Sequence, residues 1–140
     1  GIDGQNKMSK SLNNDIEMAA TAEETSARVM QMVTDPARQR RSDPGNPDVC
    51  NVYSLHKIFT PKEKVAEINV ECRRAGIGCV DCKKILAANM NAYFTDIRAK
   101  RTELAKDPDT TWDMLRDGAR RASELAEATM VDVRKAIDLP

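Results

Sequence analysis

The stretch that decides the fold is residues 60–106, TPKEKVAEINVECRRAGIGCVDCKKILAANMNAYFTDIRAKRTELAK. Its opening residues, Thr60-Pro61-Lys62-Glu63, predict a helix start with Thr60 as the cap and proline at the first helical position. That helix is expected to end before Gly76, which begins a tight turn. A long second helix is predicted over residues 81–106, because apolar residues recur there at helical spacing. Its predicted buried stripe is Leu86, Met90, Tyr93, Ile97 and Leu104.

Further helices are predicted on both sides of this stretch. Thr21 and Glu24 have the spacing of a capping box, so a helix is expected over residues 22–33. Another helix is expected over residues 49–59, and a last one is expected to be capped by Thr110 or Thr111. Only 4% of the residues are aromatic, which favours helices over a β-sandwich or barrel. The predicted fold class is all-α: a helical bundle over residues 21–140, preceded by a loop over residues 1–20.

The charge balance excludes one class of partner and leaves another open. The 140 residues contain 22 Lys and Arg and 22 Asp and Glu, so the formal net charge of zero excludes a globally basic nucleic-acid binder. Residues 72–106 nevertheless hold eight basic and three acidic residues. The pattern is typical either of a solvated helix face or of a local phosphate-binding surface. The candidate RNA contacts are Arg38, Arg40, Arg73, Arg74, Lys83 and Lys84.

Four cysteines, Cys50, Cys72, Cys79 and Cys82, fall within 33 positions and are separated by gaps of 21, 6 and 2 residues. The sequence has no signal peptide and no apolar run long enough for a membrane span, so a cytoplasmic protein is expected, in which disulfides are disfavoured. Taken singly, Cys72 reads as a core residue and Cys50 as an inert thiol. The predicted helices place Cys50 and the Cys79–Cys82 pair at helix starts and Cys72 at a helix end, so three element ends can meet at one point. As a set of four, the cysteines predict a structural zinc or an iron–sulfur cluster. Zinc fingers usually have two close cysteine pairs, whereas here only Cys79 and Cys82 are close in the sequence, and this favours the cluster. The only histidine, His56, is expected to be buried or to cap a helix rather than to catalyse.

Residues 7–11 read KMSKS, within the longer run GIDGQNKMSKSLNN. This run resembles the signature loop of class I aminoacyl-tRNA synthetases, which activate an amino acid by attack on the α-phosphate of ATP. The resemblance implies that Lys10, assisted by Lys7, stabilises the charge that develops on the departing pyrophosphate. It also implies an ATP-binding set, used with Mg²⁺, that consists of Lys7, Met8, Ser9, Lys10 and Ser11.

A second resemblance covers residues 34–59, TDPARQRRSDPGNPDVCNVYSLHKIF, and residues 71–84, ECRRAGIGCVDCKK. Both are similar to the C-terminal domain of the bacterial tryptophanyl-tRNA synthetases that carry a [4Fe-4S] cluster, although the first cysteine gap of that group is one residue longer. The resemblance implies that the four cysteines hold such a cluster beside an anticodon-binding surface for tRNA(Trp). It further implies a homodimer whose Rossmann-like catalytic half, with the sites for L-tryptophan and most of ATP, precedes residue 1. The isolated fragment is then expected to be inactive.

Two other interpretations stay open at this stage. One is a non-catalytic, metal-stabilised helical module that binds RNA or protein. The other is the related tyrosyl enzyme, which shares the KMSKS loop, although the cysteine set argues against it.

Overall fold

The structure is a computed structural model that describes residues 1–139, and within that range it contains five α-helices and no β-strand. The helices are α1 (Ala22–Gln31), α2 (Asn51–Phe59), α3 (Lys62–Arg73), α4 (Cys79–Ala105) and α5 (Pro108–Ala136). Two short 3₁₀ turns, Lys10–Leu12 and Pro47–Val49, lie in the loops before α1 and α2. The all-α prediction is therefore confirmed. No helix of the described chain is long and apolar enough to span a membrane.

The start of α1 is the local feature that the sequence predicts best. The Thr21 side chain accepts from the backbone N–H of Glu24 (3.1 Å), and the Glu24 carboxylate accepts from the backbone N–H of Thr21 (2.8 Å). This capping box satisfies two N–H groups that the first helical turn leaves without partners. The helix ends at Gln31, two residues before the predicted end, because Met32 leaves the helical conformation and is buried in the core.

Two other predicted caps are wrong. Thr60 makes no capping hydrogen bond to α3; its hydroxyl instead lies 2.8 Å from Nδ1 of His56 at the end of α2. The last helix is capped by Asp107, which accepts from the backbone N–H of Thr110 at 3.2 Å, and Pro108 occupies its first turn. In both places a competing side-chain bond uses the hydroxyl that the sequence pattern assigned to the cap.

A hydrophobic core lies within the first of two compact units, Gly1–Arg98. In α4 the buried residues are Leu86, Ala87, Met90 and Phe94. Phe94 replaces Tyr93 of the predicted stripe, since Tyr93 is 59% exposed and packs edge-on against Phe59 and Phe94. Other segments contribute the completely buried side chains Thr25, Val29, Val52 and His56.

The second unit begins at Ala99 and contains all of α5. None of the described residues of α5 is buried, and its large apolar side chains include Trp112 and Leu115, which are 57% and 58% exposed. The large apolar side chains of α5 are therefore exposed in the part of the chain that the structure describes.

Candidate functional site

The first candidate site is the KMSKS loop, residues 7–11. Ser9 precedes the 3₁₀ turn Lys10–Leu12, and the hydroxyls of Ser9 and Ser11 are hydrogen-bonded at 2.8 Å. Lys7 and Lys10 are both exposed. The ammonium of Lys10 pairs with the carboxylate of Glu17 at 3.4 Å, and both side chains are largely in solvent, so the pair is weak. The loop therefore presents two exposed cations and two hydroxyls on one short segment.

Polar side chains hold the base of this loop. The backbone N–H of Ser9 donates to the side chain of Asn14 (2.7 Å), and the Asn14 amide donates to the carboxylate of Asp3 (3.0 Å). These hydrogen bonds, with others from Gln5 and Asn6, hold the pKa of Asp3 well below its ordinary value, so Asp3 is ionised. Arg28 of α1 donates to the carbonyl oxygens of the residues on each side of Asn14. Apart from the polarity of the segment, no pattern in the sequence indicates these partners.

The second candidate site is the four-cysteine corner, formed by Cys50, Cys72, Cys79 and Cys82. Cys50 is the N-cap of α2, Cys72 lies in the last turn of α3, and the other two lie in the first turn of α4. Three helix ends thus supply the four thiols, as the sequence predicts. Burial, and to a smaller extent the proximity of the other three cysteines, raises the pKa of the Cys82 thiol to about 12.

Arg38 lies against this corner. Its Nη1 is 3.8 Å from Sγ of Cys79 and 4.0 Å from Sγ of Cys72, and its Nη2 donates to the carbonyls of Arg41 (2.7 Å) and Ile77 (2.9 Å). Its Nε is buried and has no hydrogen-bond partner in the described chain. The guanidinium therefore places a positive charge beside two of the four thiols, which suits an anionic group.

Gly45 also faces the thiols at close range. A Cβ at this position would lie 2.6 Å from Sγ of Cys72, closer than side chains pack, and the Gly45 N–H donates to the Cys72 carbonyl at 3.0 Å. Only glycine therefore leaves this approach open. The polar loop before α2 gave no sign that it approaches Cys72, which is 27 positions away.

His56 is completely buried, which confirms its predicted structural role. Its Nε2 lies 3.2 Å from the carbonyl oxygen of Cys82 and 3.3 Å from Sγ of the same residue. Burial lowers the pKa of His56 below its usual 6.5, so the neutral ring is favoured. The sequence spacing did not reveal this contact between α2 and α4.

Within residues 1–139, no three His, Cys, Asp or Glu side chains form a group that could hold one metal ion. The four cysteines are nevertheless the donor type that structural zinc and iron–sulfur clusters take, and Arg38 places a positive charge beside two of them. The metal that they would hold stays a prediction.

The six candidate RNA-binding residues differ in whether their side chains already have bonding partners within the protein. Arg73 pairs with Asp48 at 2.7 Å, Arg74 pairs with Glu71, and Lys83 donates to the Met30 carbonyl at 2.9 Å. Arg40 and Lys84 are exposed, and within the described chain their side chains make no hydrogen bond or ion pair. The role of all six in binding RNA stays a prediction.

Comparison with known proteins identifies the family of the chain. A family model described as "tRNA synthetases class I (W and Y)" matches residues 1–95, which is more than half of the chain. The chain belongs to this family. Its KMSKS loop and four-cysteine corner both lie within the matched residues, which extend into α4.

Individual relatives of this class I synthetase chain are named for one amino acid. The tryptophan–tRNA ligase of Aquifex aeolicus is 42% identical over 100% of the chain, and that of Deinococcus radiodurans is 41% identical over 98%. A solved tryptophanyl-tRNA synthetase from Campylobacter jejuni, complexed with ADP and tryptophan, superposes with a TM-score of 0.79 at 29% identity and covers 99% of the chain. The chain spans 35% and 42% of the two curated relatives and 43% of the solved chain.

Proposed function

We propose that this chain is the C-terminal part of a tryptophanyl-tRNA synthetase, which activates L-tryptophan with ATP and Mg²⁺ and transfers it to tRNA(Trp). The observation that carries the proposal is the KMSKS loop, with Lys7 and Lys10 exposed on a turn whose base is held by polar bonds. The relatives described above support tryptophan over tyrosine as the amino acid. The isolated chain supplies the loop without the rest of the catalytic half and is therefore inactive.

The proposed chemistry assigns a specific task to the loop. The carboxylate of tryptophan attacks the α-phosphorus of ATP, and the bond to the bridging oxygen of pyrophosphate breaks. Negative charge therefore accumulates on the departing group, where the ammonium of Lys10, with Lys7, stabilises it. Lys10 must leave Glu17 to do so, and this costs little because both side chains are largely in solvent. Met8, Ser9 and Ser11 complete the ATP-binding set.

The role of the loop is tested by Lys10→Ala in the full-length enzyme. We expect tryptophan-dependent ATP–pyrophosphate exchange to slow by on the order of a hundredfold. The matched control is Lys62→Ala, which removes an exposed lysine at the start of α3, outside the loop. An exchange rate equal to that of the control would contradict the assignment. Exchange driven by tyrosine instead of tryptophan would contradict the choice of amino acid.

The basic surface formed by Arg38, Arg40, Arg73, Arg74, Lys83 and Lys84 is proposed to bind the anticodon region of the tRNA. Arg40 and Lys84 are best suited to contact phosphates, because neither gives up an internal partner to do so. Alanine at either position is expected to weaken tRNA binding and to reduce its salt dependence by about one released counterion. The control is Arg116→Ala in α5, which removes a paired and exposed arginine. Unchanged affinity for tRNA and unchanged salt dependence would show that the substituted residue does not contact the tRNA.

Cys50, Cys72, Cys79 and Cys82 are proposed to hold a [4Fe-4S] cluster, with zinc as the alternative. When bound, the cluster supplies a rigid link between the ends of three helices. Nη1 of Arg38, which lies near Sγ of Cys79 and of Cys72, offers a donor and a positive charge to an anionic group. Only one cysteine pair, Cys79 and Cys82, is close in the sequence, and this favours the cluster over zinc.

Metal analysis separates the two assignments. Protein purified without oxygen is expected to be brown and to contain about four iron atoms per chain. Colourless protein with one zinc per chain would overturn the cluster. Cys82→Ser is expected to abolish the bound iron, whereas Ser54→Cys, a thiol at an exposed position of α2, serves as a control for surface binding.

Two properties of the whole enzyme complete the proposal. It is expected to be a cytoplasmic homodimer, and sedimentation of the full-length protein tests the dimer. The sequence upstream of residue 1 in the gene is expected to encode alternating strands and helices with a HIGH-like motif. Its absence would favour the alternative, a non-catalytic metal-stabilised module that binds RNA or protein.

A further inference from the structure

Asn14 is the buried polar residue beneath the KMSKS loop. Asn14 is 3% exposed. Four of the five loop residues are exposed, and Ser9 is half-buried. A buried amide must satisfy its donors and its acceptor inside the protein. The hydrogen-bond partners of the Asn14 side chain therefore show which backbone segment this side chain positions.

The Asn14 side chain bonds to the backbone on each side of Met8. Its Oδ1 accepts from the N–H of Ser9 at 2.7 Å, and its Nδ2 donates to the carbonyl of Lys7 at 3.2 Å. The backbone N–H of Asn14 also approaches the Ser9 carbonyl at 3.5 Å. One side chain thus fixes the backbone immediately before Lys10 and at Lys7.

Asn14 is itself fixed from two directions. The Nδ2 of Asn14 donates to the ionised carboxylate of Asp3 at 3.0 Å, and the backbone carbonyl of Asn14 accepts from the N–H of Ile2 at 2.8 Å. Arg28 of α1 donates to the carbonyl of Asn13 at 2.6 Å and to that of Asp15 at 3.0 Å. The loop is in this way tied to the first helix of the bundle while its lysine side chains stay in solvent.

We propose that Asn14 is a positioning residue for adenylate formation: it holds the backbone of Lys7 and Ser9 so that the two lysines reach the leaving pyrophosphate together. The inference rests on the proposed function of the loop. Its physical basis is preorganisation, because a cation fixed at its base loses less freedom when it meets the developing charge. Asn14 contacts no reacting atom and acts only through the lysines.

The test uses Asn14→Ala and Asn14→Asp in the full-length enzyme. The aspartate keeps the size of the side chain and the acceptor for Ser9 but removes the amide donors. It is combined with Asp3→Asn, which removes the ionised carboxylate that would otherwise repel it, so it covers the case in which the alanine variant fails to fold. We expect kcat of ATP–pyrophosphate exchange to fall about tenfold or more in both variants, with KM for tryptophan unchanged. Transfer of tryptophan from preformed enzyme-bound adenylate to tRNA should keep its rate, because pyrophosphate has already left.

The matched control is Asn6→Ala. Asn6 donates to the same Asp3 carboxylate at 3.2 Å, but its side chain has no bond to the loop backbone, so exchange is expected to stay near the unaltered rate. An Asn14→Asp enzyme with unaltered exchange would overturn the inference, as would equal losses in exchange and transfer, which indicate general destabilisation. If Lys10→Ala slows exchange while the Asn14 variants do not, the proposed function stands and only this inference fails. If Lys10→Ala also has no effect, both fail.

Discussion

Nη1 of Arg38 lies 3.8 Å from Sγ of Cys79, although the two residues are 41 positions apart. The same guanidinium donates to the carbonyls of Arg41 and Ile77, so it links the loop after α1 to the turn before α4. Arg38 was a candidate RNA contact in the sequence because it is basic. Its structural position adds contacts beside the four-cysteine corner, and these contacts link two segments that the corner also joins.

We expect Arg38→Ala to lower the free energy of unfolding by about 2 kcal/mol, because two carbonyl oxygens lose a charged donor. The same substitution should speed the loss of iron from protein exposed to air, measured by the decay of visible absorption. The control is Arg41→Ala, which keeps the backbone carbonyl that Arg38 uses. Equal stability and equal iron retention in the two variants would remove Arg38 from the site.

His56 is expected to be essential to packing between α2 and α4. Because it is completely buried and lies within hydrogen-bond distance of Thr60 and Cys82, His56→Ala leaves both a cavity and unsatisfied polar groups. We expect a loss of about 3 kcal/mol in urea unfolding. Thr60→Val, which removes one of these partners and keeps the volume, should cost about 1 kcal/mol. A smaller effect of the histidine change than of the threonine change would contradict this account.

The capping box of α1 predicts a measurable loss in Thr21→Ala. We expect the free energy of unfolding to fall by about 1 kcal/mol, because the N–H of Glu24 loses its acceptor. Thr21→Ser keeps the hydroxyl and should lie close to the unaltered chain in the same urea titration. If serine is as destabilising as alanine, the cap does not contribute as proposed.

The start of α5 is expected to respond to acid through Asp107. Hydrogen bonds from the side chain and backbone of Thr110 hold the pKa of Asp107 below its usual 3.8, so the ionised cap stabilises the helix above that pH. This contribution is lost as the pH falls from 3.8 through the lower pKa of the folded state. Circular dichroism should show a loss of helicity in this range that Asp107→Asn, which caps without titrating, largely lacks. The same acid response in both proteins would contradict the assignment.

Local signals in the sequence predicted much of the helical pattern correctly. The five helices, the cap at Thr21 and the placing of the cysteines at helix ends depend on neighbours within a few residues, and a local pattern records such neighbours. The predictions are wrong where a side chain contacts a partner other than the one that the local pattern indicates. Thr60 bonds to His56 instead of capping α3, and Phe94 is buried in place of Tyr93.

By itself, the sequence determined the all-α class, the KMSKS loop and the set of four thiols, because residue type and short-range spacing specify them. Only the tertiary structure decided which groups surround those residues. Asn14 beneath Ser9, Arg38 against Cys79 and His56 beside Cys82 are contacts between segments 5, 41 and 26 positions apart. Such pairs form when helices pack and buried polar groups find partners, and the spacing of residues along a single chain does not encode them.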